Sequence, residues 1–243
     1  MEFSCVSNTG NRDQNEDSAR GIILEESDGN RGFFVLADGL GGHGRGEVAS
    51  QYVTEAFLDY FRNHFTDADV LEKGIEYVQE GLLQIQKIEN AKNEMKTTIV
   101  ALCIQNGCIR WGHVGDSRLY YFKKKKLVCR SLDHSVPQML ALAGEIKEKD
   151  IRKHPDRNKL LRVLGTEWEE PQYEISDEWE QTGQEAFLLC SDGFWENITE
   201  KEMVKALKKA KNVNQWINIM NEIVQKHGMS TDMDNNTALA IMT

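Results

Sequence analysis

Acidic residues from four distant segments of the chain sit at the ends of apolar runs, most of them beside a glycine. They are Glu16 and Asp17 in Asn15-Glu16-Asp17, Asp38 in Ala37-Asp38-Gly39, Asp192 in Ser191-Asp192-Gly193, and Asp234 in Asp234-Asn235. Carboxylates that converge in a fold repel one another and need a cation. Oxygen ligands select Mg²⁺, Mn²⁺ or Ca²⁺ over zinc, and no Cys or His cluster in the sequence competes. The sequence therefore predicts a metal-dependent enzyme with a carboxylate site.

The glycine-rich segment 38–44 is the sharpest local signal. Asp38 at a strand end can offer its carboxylate to two cations, and Gly39 lets the backbone carbonyl approach a metal without a side chain in the way. A glycine run before a helix could also cradle a phosphate, but the Lys-Ser/Thr of a P-loop is missing. His43 is a candidate acid or base, although a loop histidine is more often structural.

Two arginine motifs are compatible with phosphate chemistry. Arg12 lies four residues before Glu16 and is suited to a bidentate grip on a phosphate, the alternative being a surface ion pair with Asp13 or Glu16. The segment Val114-Gly115-Asp116-Ser117-Arg118 places another acid and arginine after a predicted strand. Taken alone, this pentapeptide is also compatible with a structural salt bridge in a turn.

The composition narrows the classes of partner and compartment. The chain has 243 residues and a net charge of −10, which argues against nucleic acid or anionic membrane as the main partner. No signal peptide is visible at the start, and no apolar run approaches the roughly 18 residues of a membrane span. The five cysteines form no CxxC pair, which is typical of free thiols in a reducing cytoplasm. We expect a cytoplasmic monomer.

The hydrophobic pattern predicts strands in hairpins, with helix pairs between them. Strands are predicted at 33–37, 97–105, 108–114, 118–122, 127–130, 186–190 and 237–242, and helices from Gly46, from about Asp67, from the capping box Thr199-Glu200-Lys201-Glu202 and through Trp216 to about Gly228. Asn106-Gly107 between apolar runs is a strong hairpin signal, and the lysine run 123–126 is predicted to be a solvated turn rather than a docking patch. The region 134–162 is polar and carries short helices. This pattern favours one α+β domain, residues 1–243, with antiparallel sheets covered by helices.

Six motifs occur in a fixed order along the whole chain and together resemble one family. They are Gly10-Asn11-Arg12-x-x-Asn15-Glu16-Asp17, Asp38-Gly39-x-Gly41-Gly42-His43, Val114-Gly115-Asp116-Ser117-Arg118, Asp133-His134-Ser135, Ser191-Asp192-Gly193 and Asp234-Asn235-x-Thr237. The chain resembles the metal-dependent protein serine/threonine phosphatases (protein phosphatase type 2C), in particular their bacterial branch. Gly144-Glu145-Ile146, His154-Pro155-x-Arg157-Asn158 and Leu161-Arg162-x-Leu164-Gly165 resemble the mobile flap of that branch and its exit.

The resemblance implies a fold and a set of site residues. The fold is a four-layer α-β-β-α sandwich with a flap at about 136–165. The implied metals are two Mn²⁺ or Mg²⁺ ions, with a weaker third site near Asp116. In the implied roles, Asp38 bridges the two ions, the Gly39 carbonyl binds one, Asp192 and Asp234 bind the other, Glu16 and Asp17 hold metal-bound waters or the second ion, and Arg12 grips the phosphate.

The resemblance also implies an activity. A hydroxide shared by the two metals would attack phosphoserine or phosphothreonine in a protein, and the enzyme would oppose a bacterial serine/threonine kinase. Some relatives use a histidine where this chain has Leu40, so a metal-bound water is the preferred proton donor and His43 the alternative. Two other functions stay open: hydrolysis of a small phosphorylated metabolite, and phosphoprotein binding without catalysis.

Two departures from the family pattern stand out. Lys96 replaces a glycine that usually precedes the two threonines, and Glu196 stands where many members carry Asp. The second departure puts a secondary metal contact in doubt, but it leaves the main carboxylates in place. A catalytically dead relative is therefore not expected.

Overall fold

The computed structural model describes residues 1–26, 29–41, 44–92, 94–229 and 232–243. Its strands are β1 (Glu2–Asn8), β2 (Asp17–Glu26), β3 (Gly29–Asp38), β4 (Ile99–Gln105), β5 (Cys108–Val114), β6 (Arg118–Lys123), β7 (Lys126–Arg130), β8 (Glu174–Ile175), β9 (Trp179–Glu180), β10 (Glu185–Cys190) and β11 (Asn236–Met242). Its α-helices are α1 (Gly46–His64), α2 (Val70–Ile88), α3 (Val136–Leu142), α4 (Asp192–Trp195), α5 (Glu200–Lys209) and α6 (Val213–Gly228). A 3₁₀-helix spans Glu148–Lys153.

The strands form two antiparallel sheets. One has the order β1-β11-β10-β6-β7, and the other has the order β2-β3-β4-β5-β8 with β9 also paired to β5. The pairing of β1 with β11 brings the two ends of the chain together. This topology confirms the predicted α+β class, because every strand pair is antiparallel and the helices lie in separate segments between the strands.

The sheets lie face to face, and each is covered by helices on its outer side. Strand β3 shows why its sequence is a continuous apolar run. Phe33 and Val35 face the cluster shared with α1 and α2, whereas Phe34 and Leu36 face the cluster between the sheets. Successive strand residues point to opposite faces, so a strand buried on both faces has no polar position. A third cluster joins the other sheet to α5 and α6, which confirms the four-layer sandwich.

The helices follow the predicted apolar stripes with two differences. The capping box at Thr199 and Glu202 is present and opens α5. Helix α2 begins at Val70 rather than near Asp67, because residues 67–69 form a turn in which the Val70 N–H donates to the Asp67 carbonyl. Ile88 was predicted to belong to the buried stripe of α2, but it is 83% exposed at the last position of the helix.

Both predicted hairpins are confirmed. Asn106 and Gly107 have φ angles of 53° and 73°, as a two-residue turn of type I′ requires. The lysine run forms the second turn, where Lys124 and Lys125 also have positive φ angles and are exposed. The run is thus a solvated turn, as predicted.

The segment between β7 and β10 runs past one end of the sandwich. It carries α3 and the 3₁₀-helix, and its base is closed by a β-bridge between Ser135 and Leu160. A further bridge joins Leu164 to Thr97 and returns the chain to the sheet. The strands β1, β2, β8 and β9 were not predicted from the sequence.

Candidate active site

One end of the sandwich gathers the predicted acidic residues. Asp38 ends β3 and Asp192 follows β10, whereas Asp17 opens β2 and Asp234 lies just before β11. Neighbouring strands run antiparallel, so strand ends and strand beginnings meet at the same edge. Asp17 is paired in register with Asp38.

The acids line a pocket of about 1240 Å³. The structure brings seven of the nine predicted site residues to its wall: Arg12, Glu16, Asp38, Gly39, Asp116, Asp192 and Asp234. Asp17 lies behind this wall, and its side chain is buried. His43 lies outside the described residues.

Asp17 is a buried carboxylate that is only partly satisfied. Its Oδ2 accepts a hydrogen bond of 2.8 Å from the Ser191 hydroxyl, but its Oδ1 is buried without a hydrogen-bond partner among the described residues. Burial raises the pKa of Asp17 to about 7, helped by Asp192 and Asp234 and opposed by hydrogen bonds from Ser191 and Thr237. An orphaned carboxylate oxygen at this depth fits a position that a cation or its bound water would satisfy.

Asp38 and Asp192 show the same crowding. Burial, with the charge of Asp17 next, raises the pKa of Asp38 well above its usual range. Burial and the charge of Asp234 raise the pKa of Asp192 to about 6, and a hydrogen bond with the Asp38 carboxyl acts the other way. Without a cation, both carboxyls therefore favour the protonated form. A bound divalent ion would favour the ionised form instead.

Asp116 is held rigidly by its neighbours through the backbone. The Trp195 indole N–H donates to the Asp116 carbonyl at 3.0 Å, and the Gly115 N–H donates to His134 Nδ1 at 3.2 Å. The Asp116 carboxylate makes no hydrogen bond or ion pair with the described residues. Burial and the charges of Asp192 and Asp133 raise its pKa well above the usual range.

The arginine of the same pentapeptide does not pair with Asp116. Arg118 instead makes two hydrogen bonds to Asp133, of 2.8 and 2.7 Å, and its guanidinium stacks 3.4 Å from the Trp195 ring centroid. The salt bridge within a turn, which the isolated motif also allowed, is thus not formed. Asp116 lines the pocket, where Arg118 only partly offsets the rise in its pKa and no described residue forms an ion pair with it.

Glycines are required where the backbone passes close to Glu16. The Gly39 N–H donates to the Glu16 carbonyl at 3.0 Å, and a Cβ at Gly39 would overlap the Gly46 carbonyl. A Cβ at Gly41 would overlap the Glu16 carboxylate. Because these glycines have no Cβ, the backbone of segment 38–41 can lie directly against Glu16. The segment and Glu16 therefore form one wall of the pocket.

Asn235 fixes the loop that carries Arg12 and Glu16, a role that the sequence did not reveal. Its side-chain amide donates to the carbonyls of Thr9 and Gln14 at 2.7 and 2.9 Å. Its Oδ1 accepts from the Glu16 N–H at 2.8 Å. The neighbouring residue, Asp234, forms an ion pair with Arg12, in which Oδ2 of the aspartate lies 2.6 Å from Nη2 of the arginine. The Arg12 side chain is 54% exposed. One guanidinium nitrogen is thus engaged, and the others face the pocket.

Glu196, which departs from the family pattern, lies beside the cluster. Burial and the charge of Asp192 raise its pKa to about 7, against the opposing charge of Arg157. Arg157 Nε is 2.7 Å from the Glu196 carboxylate. The fold thus supplies Glu196 with a cation.

A separate group of possible ligands, His113, His134 and Glu174, lies under the pocket wall. The two imidazoles are stacked, with ring centroids 4.6 Å apart and planes 17° apart. Burial lowers the pKa of both rings, that of His134 to about 3. A metal ion binds imidazole nitrogen in the ring plane, and two nearly parallel planes at this spacing do not share one ion. The group is therefore a packed polar cluster.

The charge of the pocket fits two divalent cations. Among the described residues, seven carboxylates and four cations line it. Two divalent ions would more than offset this excess of negative charge, and oxygen-only donors suit Mn²⁺ or Mg²⁺. Three of the four lining cations, Lys96, Lys159 and Arg162, were not predicted as site residues. The positions of Lys96 and Arg162 depend on the Thr97–Leu164 bridge, which leaves no local sequence signal.

Comparison with known proteins gives a consistent result. The model of the family described as "Protein phosphatase 2C" matches residues 7–236. The serine/threonine phosphatase stp of Listeria monocytogenes serotype 4b is 31% identical over 238 residues, which cover 95% of this chain and 90% of that protein.

Solved structures are similar over nearly the whole chain. Serine/threonine phosphatase Stp1 from Staphylococcus aureus has a TM-score of 0.83 at 27% identity and covers 100% of this chain and 95% of its own. The catalytic domain of PstP in complex with two manganese ions has a TM-score of 0.79 at 26% identity, covering 98% and 96%. In the part of this chain that the structure describes, no helix has the length and apolar character needed to cross a membrane.

Proposed function

Because this chain belongs to the protein phosphatase 2C family, we propose that it hydrolyses phosphoserine and phosphothreonine in proteins with two Mn²⁺ or Mg²⁺ ions at its acidic pocket. The family and the class of enzyme predicted from the motifs are confirmed by the family match and the relatives. The observation that supports the proposed mechanism is the convergence of Asp38, Asp192 and Asp234 at one end of the sandwich.

The residues of the chain take separate roles in this proposal. Asp38, at the centre of the cluster, would hold the two ions together with Asp192, Asp234 and the Gly39 carbonyl. Glu16 and Asp17 would hold bound water or the second ion. This assignment is supported by the raised pKa of Asp38, Asp17 and Asp192, none of which forms an ion pair with a described residue.

Bound divalent ions supply an activated water and offset charge on the phosphoryl oxygens. The chain's own contribution is orientation. Arg12, anchored through Asp234 at 2.6 Å, keeps free N–H donors that can hold two phosphoryl oxygens in a bidentate geometry. Asn235 fixes the backbone of the Arg12–Glu16 loop.

Several finer assignments belong to the same proposal. Asp116 would hold a third, weaker metal, since its rigid backbone presents an unpaired carboxylate to the pocket. The segment 136–165 would act as a flap within a single domain, 1–243. The proton donor to the leaving alkoxide would be a metal-bound water, with His43 as the alternative.

The cellular setting is also inferred. The five free cysteines are typical of a reducing cytoplasm, where we expect a monomer that opposes a cognate serine/threonine kinase in signalling. Phosphorylated proteins are the expected substrates, with neither nucleic acid nor membrane as a partner.

Phosphate release from a phosphothreonine peptide tests the proposed function. It is measured with Mn²⁺, with Mg²⁺ and with excess EDTA, on protein whose fold is checked by circular dichroism. Release that depends on a divalent ion supports the proposal. If the folded protein released no phosphate with any metal, the proposal would be wrong, and small phosphoesters and phosphoprotein binding would be examined instead.

A further inference from the structure

The pocket is much larger than a phosphoryl group. Beyond the carboxylates it continues along a wall formed by residues 158–163 and 166–169, together with Lys96 and Gln172. A phosphoryl group at the carboxylate end fills a small part of the volume of about 1240 Å³. The side chains next to the phosphorylated residue of a substrate therefore lie against this wall, and its chemistry determines which neighbours are favoured.

Two half-buried cations, Lys96 and Arg162, stand in this wall on adjoining segments. A β-bridge joins the segments, with N–H to carbonyl distances of 3.3 and 2.9 Å between Thr97 and Leu164. The Lys96 carbonyl also accepts from the Leu40 N–H at 3.0 Å. Lys96 is thus fixed beside the glycine-rich segment that follows Asp38.

Neither cation is closely neutralised. The Lys96 ammonium makes no hydrogen bond or ion pair with the described residues. Arg162 is only loosely held, with its Nη1 at 3.6 Å from Glu174 Oε1 and 3.4 Å from His134 Nε2. Most of the five N–H donors of Arg162 are therefore available. A cation in a partly desolvated wall attracts an anion more strongly than one on the open surface.

The acidic residues of the same wall are more exposed to solvent than its two half-buried cations. Glu167 and Glu169 are exposed, and Glu167 lies 3.5 Å from Lys92 Nζ. Exposed charges are screened by water and salt, so they offset the half-buried cations only weakly. The remaining wall cation, Lys159, is paired with Asp156 at 2.8 Å. Lys96 and Arg162 are therefore the least neutralised cations of this wall.

We propose that Lys96 and Arg162 form an acid-recognition subsite, which selects phosphoproteins that carry an acidic side chain close to the phosphorylated residue. This inference rests on the proposed function and names its substrate class. The substrate carboxylate takes two N–H donors of Arg162 in place of the long contact to Glu174, and Lys96 adds a second positive charge. Glu174 and His134 act as positioning residues that hold Arg162 at the wall.

A peptide series tests the subsite directly. Each phosphothreonine peptide has the same neutral flanks, and a single Glu is moved from three residues before the phosphothreonine to three residues after it. Matched peptides carry Gln or Lys at each position. The kcat/KM for phosphate release is measured with Mn²⁺ for the wild-type chain, for Lys96→Ala/Arg162→Ala and for Lys96→Glu. Arg20→Ala is the matched control, because Arg20 is an exposed arginine with a comparable ion pair, 3.0 Å from Glu55, and does not line the pocket.

We expect the wild-type chain to prefer Glu over Gln by roughly fivefold or more at one or two positions, as a partly screened ion pair allows. The double variant should lose this ratio, and Lys96→Glu should shift the preference towards the Lys peptide. Arg20→Ala should keep the wild-type ratio. Glu174→Gln, measured in the same way, should lower the ratio at the position that the double variant affects, because it releases the Arg162 guanidinium from the wall.

Two results would overturn the inference while leaving the proposed function intact. One is equal kcat/KM for the Glu and Gln peptides at every position, and the other is an undiminished ratio in the double variant. Absence of metal-dependent release from every peptide would overturn the proposed function and the subsite together. The Gln peptides separate these cases, because their hydrolysis requires the metal site and not the subsite.

Discussion

Two buried carboxylates of this protein, Asp116 and Asp133, lie close enough in space to influence each other, and the fold treats them in opposite ways. Asp133 is buried with Arg118, and the pair's side chains are 1% and 4% exposed. The arginine makes two hydrogen bonds to the carboxylate. Asp116, two residues before Arg118, is equally buried but has no such partner. Arg118 thus pairs with an acid that is distant in sequence and not with the acid two residues away.

The difference shows how a structural acid can be told from a ligand. A buried charge is costly unless it is paired, so a fold that only needed stability would pair both. Asp17, Asp38, Asp116 and Asp192 all have a raised pKa because burial and neighbouring acids add together. Such a group gains most from a cation that comes from outside the chain.

The largest expected effect comes from the centre of the uncompensated group. Asp38→Asn should lower kcat/KM for phosphate release by roughly 10³-fold, because it removes the carboxylate that would bridge both metals. The metal-free variant should unfold at the same temperature as the wild type or higher, since it buries one acid fewer. Turnover and thermal unfolding in EDTA are measured side by side. Near-normal turnover would contradict the two-metal site.

Substitutions in the Arg118–Asp133 pair should change the stability of the fold and leave the affinity for metal unchanged. Arg118→Met leaves buried Asp133 with only the longer, 3.4 Å contact from Arg130 and should lower the free energy of unfolding by about 3 kcal/mol. Replacing both partners, Arg118→Met with Asp133→Leu, should recover part of that loss. Urea unfolding measures both. As a control, Arg20→Met removes an exposed ion pair and should cost less than about 1 kcal/mol.

This contrast also marks how far the sequence alone could lead. The acids of the site stand at the ends of apolar runs, so their convergence follows from antiparallel pairing and was predicted. Which acid Arg118 would neutralise was not predictable, because Asp116 is nearer in sequence while Asp133 comes into contact only through the turn after β7. The short spacing in the sequence favoured an Arg118–Asp116 pair, whereas the fold forms the Arg118–Asp133 pair.

The missed strands have a similar cause. Strand β1 is at a sheet edge and its residues are mostly exposed or half-buried, so its apolar signal is weak. Strand β2 interrupts its apolar run with Arg20 and Gly21. By contrast, β3 is buried on both faces and was evident from its composition. Lys96 and Arg162 could not be joined from sequence, because their shared wall depends on the bridge between Thr97 and Leu164.

The pH dependence of stability should separate the two groups of acids further. Asp17 and Asp192 have a folded-state pKa of about 7 and about 6, against an ordinary value of 3.8. A raised folded-state pKa of an acid means that the metal-free fold loses stability as pH rises from about 4 through about 7. The unfolding temperature in EDTA should fall by roughly 5 °C over that window. Saturating Mn²⁺ should flatten the profile, because the bound ion favours the ionised carboxylates.

Glu185 should give a pH dependence of stability of the opposite sign, because its pKa is lowered in the folded protein. Burial alone would raise its pKa, but hydrogen bonds from Thr182, Thr243 and the Gln184 N–H hold it at about 2. Its contribution to stability is therefore present above about 4.5, the ordinary value, and is lost as pH falls towards 2. Glu185→Gln should reduce the acid sensitivity below pH 4 and leave the EDTA-dependent loss near neutral pH unchanged. A variant that altered both regions equally would contradict the separation.

The smallest expected effect concerns Arg12, a cation of the pocket wall that pairs with Asp234. Arg12 is 54% exposed and pairs with Asp234 through a single nitrogen, so its removal should cost little stability. Its free donors point to substrate binding instead. Arg12→Ala should raise KM for a phosphopeptide roughly tenfold with a smaller change in kcat. Arg12→Lys should restore only part of this, because an ammonium lacks the bidentate geometry. Product inhibition by inorganic phosphate should weaken in parallel with KM, since both report the same phosphoryl contact. If KM and phosphate inhibition stayed at wild-type values while Mn²⁺ affinity changed, Arg12 would belong with Arg118, as a cation that stabilises an acid of the fold.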